Sequence, residues 1–446
     1  MEKAALHNDE PWPVPGEKLS EEQPIFSSRP DTLSFEQATY YQDLLYRTIK
    51  IGTELEFALP KKVKREIVEE RLISALKPSQ DMNNLGRLGV FDITKEHCGI
   101  EIRVIGRHPH WDAQIDQYRQ IIAPLWANQV RMRPTCGLHF HLLGVGLSEP
   151  VPEIILANFW NIMRRYAPGL KFLTSGGENL KCLCRRRQHN AHQEFMAQSP
   201  ELHPLSKIQH ILKESFEVPE HQNFFNIEHV RFNDKGQIST FHVEFRFPDG
   251  DLSPLSITAK VFLFLVMMLK AVEISKFGLL HVGKTGQWQR KNKLLDLISN
   301  NDGKLATSDT SQCEPFLDEY QHNAQSLLRF LKSIFVLIDN PAEIVLQALA
   351  EEPISLRRHQ GMSWQDIDEE LQSLVGPRDQ MDELDYQLCK IIELGLVEEK
   401  DDYHSWLVAT AHLSNCPVDE VLNRLAKYKK RKPLWSPKLG RMVFFR

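Results

Sequence analysis

The chain has 446 residues, of which 42% are hydrophobic and 25% charged, and a formal net charge of −5. That composition excludes a wholly disordered, collagen-like or polar-repeat protein, and at ~150 residues per domain the length suggests two or three units. The small negative charge gives no global reason to expect a nucleic-acid partner. Residues 1–47 read as a polar, proline-containing arm with a short helix near 35–47. The first residues have neither the basic start nor the apolar stretch of a secretory signal, and the seven cysteines are odd in number and scattered. A reducing cytoplasm is the location expected from these features.

From 48 to 285 strand-like and helix-like patterns alternate. Strands are expected over Lys50–Leu59, Gly99–Ile105, Cys136–Leu143 and Thr240–Phe247, and helices over Val63–Leu76, Asp112–Asn128, Pro152–Tyr166 and Ser256–Phe277. No βαβ signature with a glycine-rich turn is visible, so the expected class is α+β with an antiparallel sheet. The run VFLFLVMML (Val261 to Leu269) is about half a membrane span and reads as a buried helix. From 286 to 446 the apolar spacing is helical, giving a helical C-terminal extension. Its charge is split: Asp366 to Asp402 holds thirteen acids against three bases, while Arg424 to Arg446 holds nine bases and no acid. Two solvated helical faces that pair with each other account for this, and a basic patch for an anionic partner is the alternative.

The informative pattern has a period of two, which puts residues i and i+2 on one face of a strand. In IGTELEF, Glu54 and Glu56 share a face opposite Leu55 and Phe57; in GIEIRV, Glu101 and Arg103 share one opposite Ile102 and Val104. In CGLHFHL, His139 and His141 share a face opposite Leu138 and Phe140; in FHVEFRF, His242, Glu244 and Arg246 share one opposite Val243, Phe245 and Phe247. A sheet with one side in water explains the alternation. It explains the residue types less well, because the polar faces hold Glu, His and Arg almost to the exclusion of Thr, Lys, Ser and Gln. Converging glutamates repel, and a hard divalent cation, Mg²⁺ or Mn²⁺, relieves that repulsion and completes its shell with phosphate oxygens. Arginine and histidine beside it suit anionic groups.

IGTELEF, FDITKEHCGIEIRV, CGLHFHL, NFFNIEHV and VEFRFPDGDLS, in that order, resemble the amidoligases of the carboxylate–amine ligase superfamily, over about residues 48 to 280. That resemblance implies the fold shared by glutamine synthetase and γ-glutamylcysteine synthetase, with helices on one face of the sheet. It makes 48–285 an amidoligase-like catalytic domain that uses ATP and Mg²⁺ (or Mn²⁺) to join a small-molecule or peptide carboxylate to an amine through an acyl phosphate. It implies metal carboxylates at Glu54, Glu56, Glu101 and Glu244, with Glu101 following an acidic turn at Asp92. It implies catalytic roles for Glu54, Glu101 and Arg246, and nucleotide contacts from His139, His141, Asn226 and one of the arginines in the cluster Arg185, Arg186 and Arg187. The sequence departs from the family after Glu101, where Ile102, Arg103 and Val104 stand in place of a serine and proline, so the substrate is expected to differ. A phosphotransferase of related fold is one alternative. The other is a non-catalytic, nucleotide-binding member whose helical tail binds a protein. No membrane association is expected.

Three competing signals carry less. GLLHVGKT (Gly278 to Thr285) satisfies the phosphate-loop expression, but a helix-like run precedes it where that motif needs a strand, so a helix end with Gly278 as its cap is expected. Cys136 lies an odd number of positions from His139 and points away from it on a regular strand, which argues against zinc, and Cys182 and Cys184 are distant in sequence. His108 and His110 flank Pro109 in an expected surface turn, with Trp111 as a packing anchor.

Overall fold

In the computed structural model the residues described are 31–75, 89–96, 99–105, 111–133, 136–144, 149–176, 225–235, 237–280, 314–338, 340–375 and 416–430, with short pieces at 24, 26–27, 147, 407–408, 410–412, 435–436 and 441–442. Six strands form one antiparallel sheet: β2 (Lys50–Phe57), β3 (Gly89–Glu96), β4 (Gly99–Ile105), β5 (Leu138–Gly144), β6 (Phe225–Phe232) and β7 (Ile238–Phe245), in the spatial order β3-β4-β2-β5-β7-β6. A two-residue strand β1 (Phe26–Ser27) pairs separately with β8 (Leu279–Leu280). The four expected strands are present within two residues at each end, and β3 and β6 join them. β6 is hard to read as a strand because its register shifts between Glu228 and Arg231, which breaks the two-residue period.

The apolar side of the sheet makes the core. Leu55, Phe57, Ile100, Ile102, Val104, Leu138, Phe140, Leu142, Val243 and Phe245 are all buried. Against them lies the helix Pro254–Ile274 (α6, following α1 Phe35–Thr48, α2 Arg65–Ala75, α3 Trp111–Ala127, α4 Glu153–Arg165 and α5 Ala167–Leu173). The Phe264 ring stacks on Phe245 with centroids 4.0 Å apart and tilts against Phe140 at 5.1 Å. α6 is long and apolar enough to cross a membrane, and it is buried along its whole length inside the fold, as expected of its VFLFLVMML run. Helices α1, α3 and α4 pack around it. Trp111 anchors the start of α3 against the Phe262 ring at 6.0 Å.

α5 lies beyond the expected helix Pro152–Tyr166; its Pro168 is tolerated in the first turn, where the missing N–H is not needed. The helices α7 (Glu314–Ile338), α8 (Ala342–Glu351) and α10 (Trp364–Val375), the last preceded by the short α9 (Ile354–His359), pack on α6, and α7 also packs on α5. Their buried residues, Leu327, Leu331, Val345, Leu346 and Ile367 among them, belong to the same core as the sheet. Asp368 of α10 accepts hydrogen bonds from Ser253 Oγ at 2.8 Å and Leu255 N at 3.0 Å, capping the first turn of α6. α11 (Val418–Lys430) follows. The acidic and basic tail segments lie mostly outside the described residues.

Candidate active site on the polar sheet face

Hydrogen-bonded register turns the separate strand patterns into one surface. Glu54 on β2 stands opposite Arg103 on β4 and His139 on β5, and Glu56 stands opposite Glu101. Gly52 stands opposite His141, which faces Glu244 on β7, which in turn faces Asn226 on β6. Arg246 follows β7 directly. Residues directly opposite across a ladder share a face, so the polar pairs of β2, β4, β5 and β7 converge.

Glu54 sits at the centre. Its carboxylate lies 3.2 Å from His139 Nδ1, 3.5 Å from His141 Nε2 and 3.4 Å from Arg103 Nε. Burial pushes its carboxyl up, but the imidazoles of His139 and His141 outweigh that and hold it well below the ordinary carboxylate range. Glu244 behaves alike: burial raises it, and the Arg246 guanidinium, 2.5 Å from its Oε1, brings it below the usual value. Burial lowers Arg246 in turn, while Glu244, Glu54 and Glu56 raise it above its ordinary value. His139 Nδ1 is also 3.6 Å from Glu244 Oε1. Glu54 and Glu244 are therefore ionised at neutral pH.

Glu56 and Glu101 are held by other donors. The Gly137 N–H donates to Glu56 Oε2 at 2.7 Å. A Cβ on residue 137 would stand 2.9 Å from His139 Nε2, so glycine lets this backbone approach. Glu101 is buried and accepts from Arg103 Nε at 2.6 Å and Thr94 Oγ1 at 3.2 Å.

The donor set suits a divalent cation. Among the described residues Glu54, His141 and Glu244 each offer one ligand atom, all within 4.8 Å of one another. Among the described residues His141 Nε2 is buried with no hydrogen-bond partner, 3.5 Å from Glu54 Oε1, and a bound ion would satisfy it. The two carboxylates fit Mg²⁺ or Mn²⁺, and the imidazole nitrogen favours Mn²⁺ of the two. His141, expected beside a nucleotide, thus joins the carboxylates.

Of the remaining expectations, Asn226 is placed by its backbone as the cross-strand partner of Glu244. Arg185, Arg186, Arg187, His108, His110, Cys182 and Cys184 lie outside the described residues, as does the second half of the phosphate-loop match. Gly278, at φ 118°, sits three residues beyond the α6 cap Ser275 rather than capping the helix, and Leu279–Leu280 inside the match form β8. Cys136 is buried beside the loop before β5. Two residues on the polar face, Arg103 and His242, were not expected in the site although the same alternation contains them. Arg103 touches both Glu54 and Glu101, and His242 stacks on His141.

No protein-family model matches the chain, and no curated protein matches it. A solved structure to which the chain is similar is the complex between the prokaryotic ubiquitin-like protein Pup and its ligase PafA, at 13% identity and a TM-score of 0.30, covering 90% of this chain and 74% of that one. The functional reading therefore rests on the side chains.

Proposed function

We propose that the polar sheet face catalyses ATP-dependent joining of a carboxylate to an amine. The observation that carries this reading is the register that brings Glu54, Glu56, Glu101 and Glu244 onto one face together with His139, His141, Arg103 and Arg246. Glu54, His141 and Glu244 would hold a divalent cation, which when bound neutralises phosphate charge and orients the γ-phosphate. In the first step a substrate carboxylate oxygen bonds to the γ-phosphorus and the bond to the ADP oxygen breaks, leaving an acyl phosphate. In the second the amine nitrogen bonds to the acyl carbon, phosphate leaves, and the nitrogen loses a proton.

The protein's contribution is position and charge. Arg246, held by Glu244 on the strand end, offers its remaining donors to phosphate oxygens. Arg103 keeps Glu54 and Glu101 from repelling each other and is the more exposed of the two arginines. The carboxylates at Glu56 and Glu101 attract the ammonium form of the amine, and one of them accepts the proton that the nitrogen loses.

The test is an ATP-consumption screen across amines and carboxylates, with mass spectrometry of products, on wild type and on Glu54→Ala and Glu244→Ala. Amide, ADP and phosphate are expected from wild type alone, with circular dichroism unchanged in the variants. Full activity in both variants would sink the assignment, and a stable phosphorylated product without amide would turn the reading to phosphotransfer.

A further inference from the structure

His242 lies outside the metal trio, yet among the described residues it makes the closest polar contact of His141. The two rings stack with centroids 5.2 Å apart and 30° between planes, and His141 Nδ1 stands 2.9 Å from His242 Nε2. They come from adjacent strands: β5 and β7 pair antiparallel with His141 opposite Glu244 and Leu143 opposite His242. The contact is thus a diagonal one that runs along the polar face.

An imidazole can present a lone pair on only one nitrogen while the other bears the proton. His141 Nε2 faces the carboxylates, 3.5 Å from Glu54 Oε1, buried and, among the described residues, without a hydrogen-bond partner. For Nε2 to give its lone pair to a cation, the proton must sit on Nδ1, and a buried Nδ1–H needs an acceptor. Among the described residues the atom within hydrogen-bond distance of Nδ1 is His242 Nε2. We infer that His242 is a positioning residue: by accepting from Nδ1–H it fixes the tautomer and ring orientation in which His141 ligates a divalent cation through Nε2, alongside Glu54 and Glu244. The inference rests on the metal-site reading above and goes beyond it by assigning the partner that makes His141 a ligand.

The consequences are specific. Outer partners of a metal-bound imidazole are worth about 10–100-fold in metal affinity. A nitrogen donor also favours Mn²⁺ over the more oxygen-loving Mg²⁺, so His242 supports the preference between them. Glutamine can place an amide oxygen near the position of an imidazole Nε2, whereas leucine fills the space with no acceptor.

Mn²⁺ binding to the full-length protein is measured by calorimetry and by pulsed electron paramagnetic resonance, which detects nitrogen coupled to the bound ion. Wild type is expected to bind Mn²⁺ with imidazole nitrogen coupling, and His141→Leu to lose the coupling. His242→Leu is expected to bind about 10–100-fold more weakly, with reduced coupling and a smaller Mn²⁺-over-Mg²⁺ preference. His242→Gln is expected to recover most of the affinity and the coupling, which a loss of ring packing alone does not explain. His242→Leu with wild-type affinity and full coupling overturns the inference and leaves the metal site standing. So does a His242→Gln as weak as His242→Leu while both are folded by circular dichroism. Wild type without bound Mn²⁺, or Glu54→Gln binding it as wild type does, overturns the metal site itself and the inference with it.

Discussion

Asp251, in the loop between Arg246 and α6, and Lys260 on α6 are both fully buried, with their charged atoms 2.5 Å apart. Asp251 Oδ2 also accepts from Ser256 Oγ at 2.6 Å and Oδ1 from Ser253 N at 2.8 Å, so one carboxylate satisfies an ammonium and two further donors. Asp251→Asn keeps the shape and removes the charge, stranding the Lys260 ammonium; breaking one side of a buried pair costs about 3–5 kcal/mol. Lys260→Met keeps the aliphatic stem and leaves Asp251 its two other donors, and the expected loss is about 2–3 kcal/mol. In the double variant no charge remains to be stranded, so its loss is expected to fall below that of Asp251→Asn alone, a coupling of about 2 kcal/mol or more. Urea unfolding of the four proteins, compared at equal slope, measures the cycle. Losses that add to within about 0.5 kcal/mol would refute the reasoning, because uncoupled residues cannot be each other's compensation. A double variant less stable than either single would refute it as well.

Three further outcomes follow from particular contacts. Gly169 on α5 abuts α7, with the Ala324 backbone nitrogen 2.5 Å from where a Cβ would lie, so Gly169→Ala is expected to cost about 1–3 kcal/mol in thermal or urea unfolding. An unchanged midpoint would mean that α5 and α7 are not in contact. Glu54 and Glu244 titrate below their unfolded values, so their contribution is present above the ordinary carboxylate pKa and is lost as pH falls through the depressed folded values. Without metal, urea midpoints of wild type are therefore expected to fall more steeply than those of Glu54→Gln as pH drops from about 5 to about 3, through the ordinary carboxylate range. Glu319 is the opposite case: burial first, then the neighbouring Asp318, push its carboxyl up to about 7. Stability present below the unfolded value is lost as pH rises through about 7, so Glu319→Gln is expected to stabilise the protein above that pH and to match wild type well below it.

Much of the site was legible in the sequence because a strand has a period of two, and the alternation of Glu54/Glu56, Glu101/Arg103, His139/His141 and Glu244/Arg246 assigns each pair to one face without tertiary information. The apolar counterpart of the same alternation gave the core face, and the uncharged run of α6 gave the buried helix. What no single strand can state is register. Only the pairing of β2 with β4 and β5, and of β5 with β7, decides that Glu54 meets His139 and Arg103, and that His141 meets Glu244. The contact of His141 with a second imidazole, His242, 101 positions away in the chain, is set by the same pairing. The contact of the C-terminal helices with α6 was invisible for the same reason: periodicity marks an apolar face but not the surface that covers it, and it took Asp368 at the first turn of α6 to show which one it is.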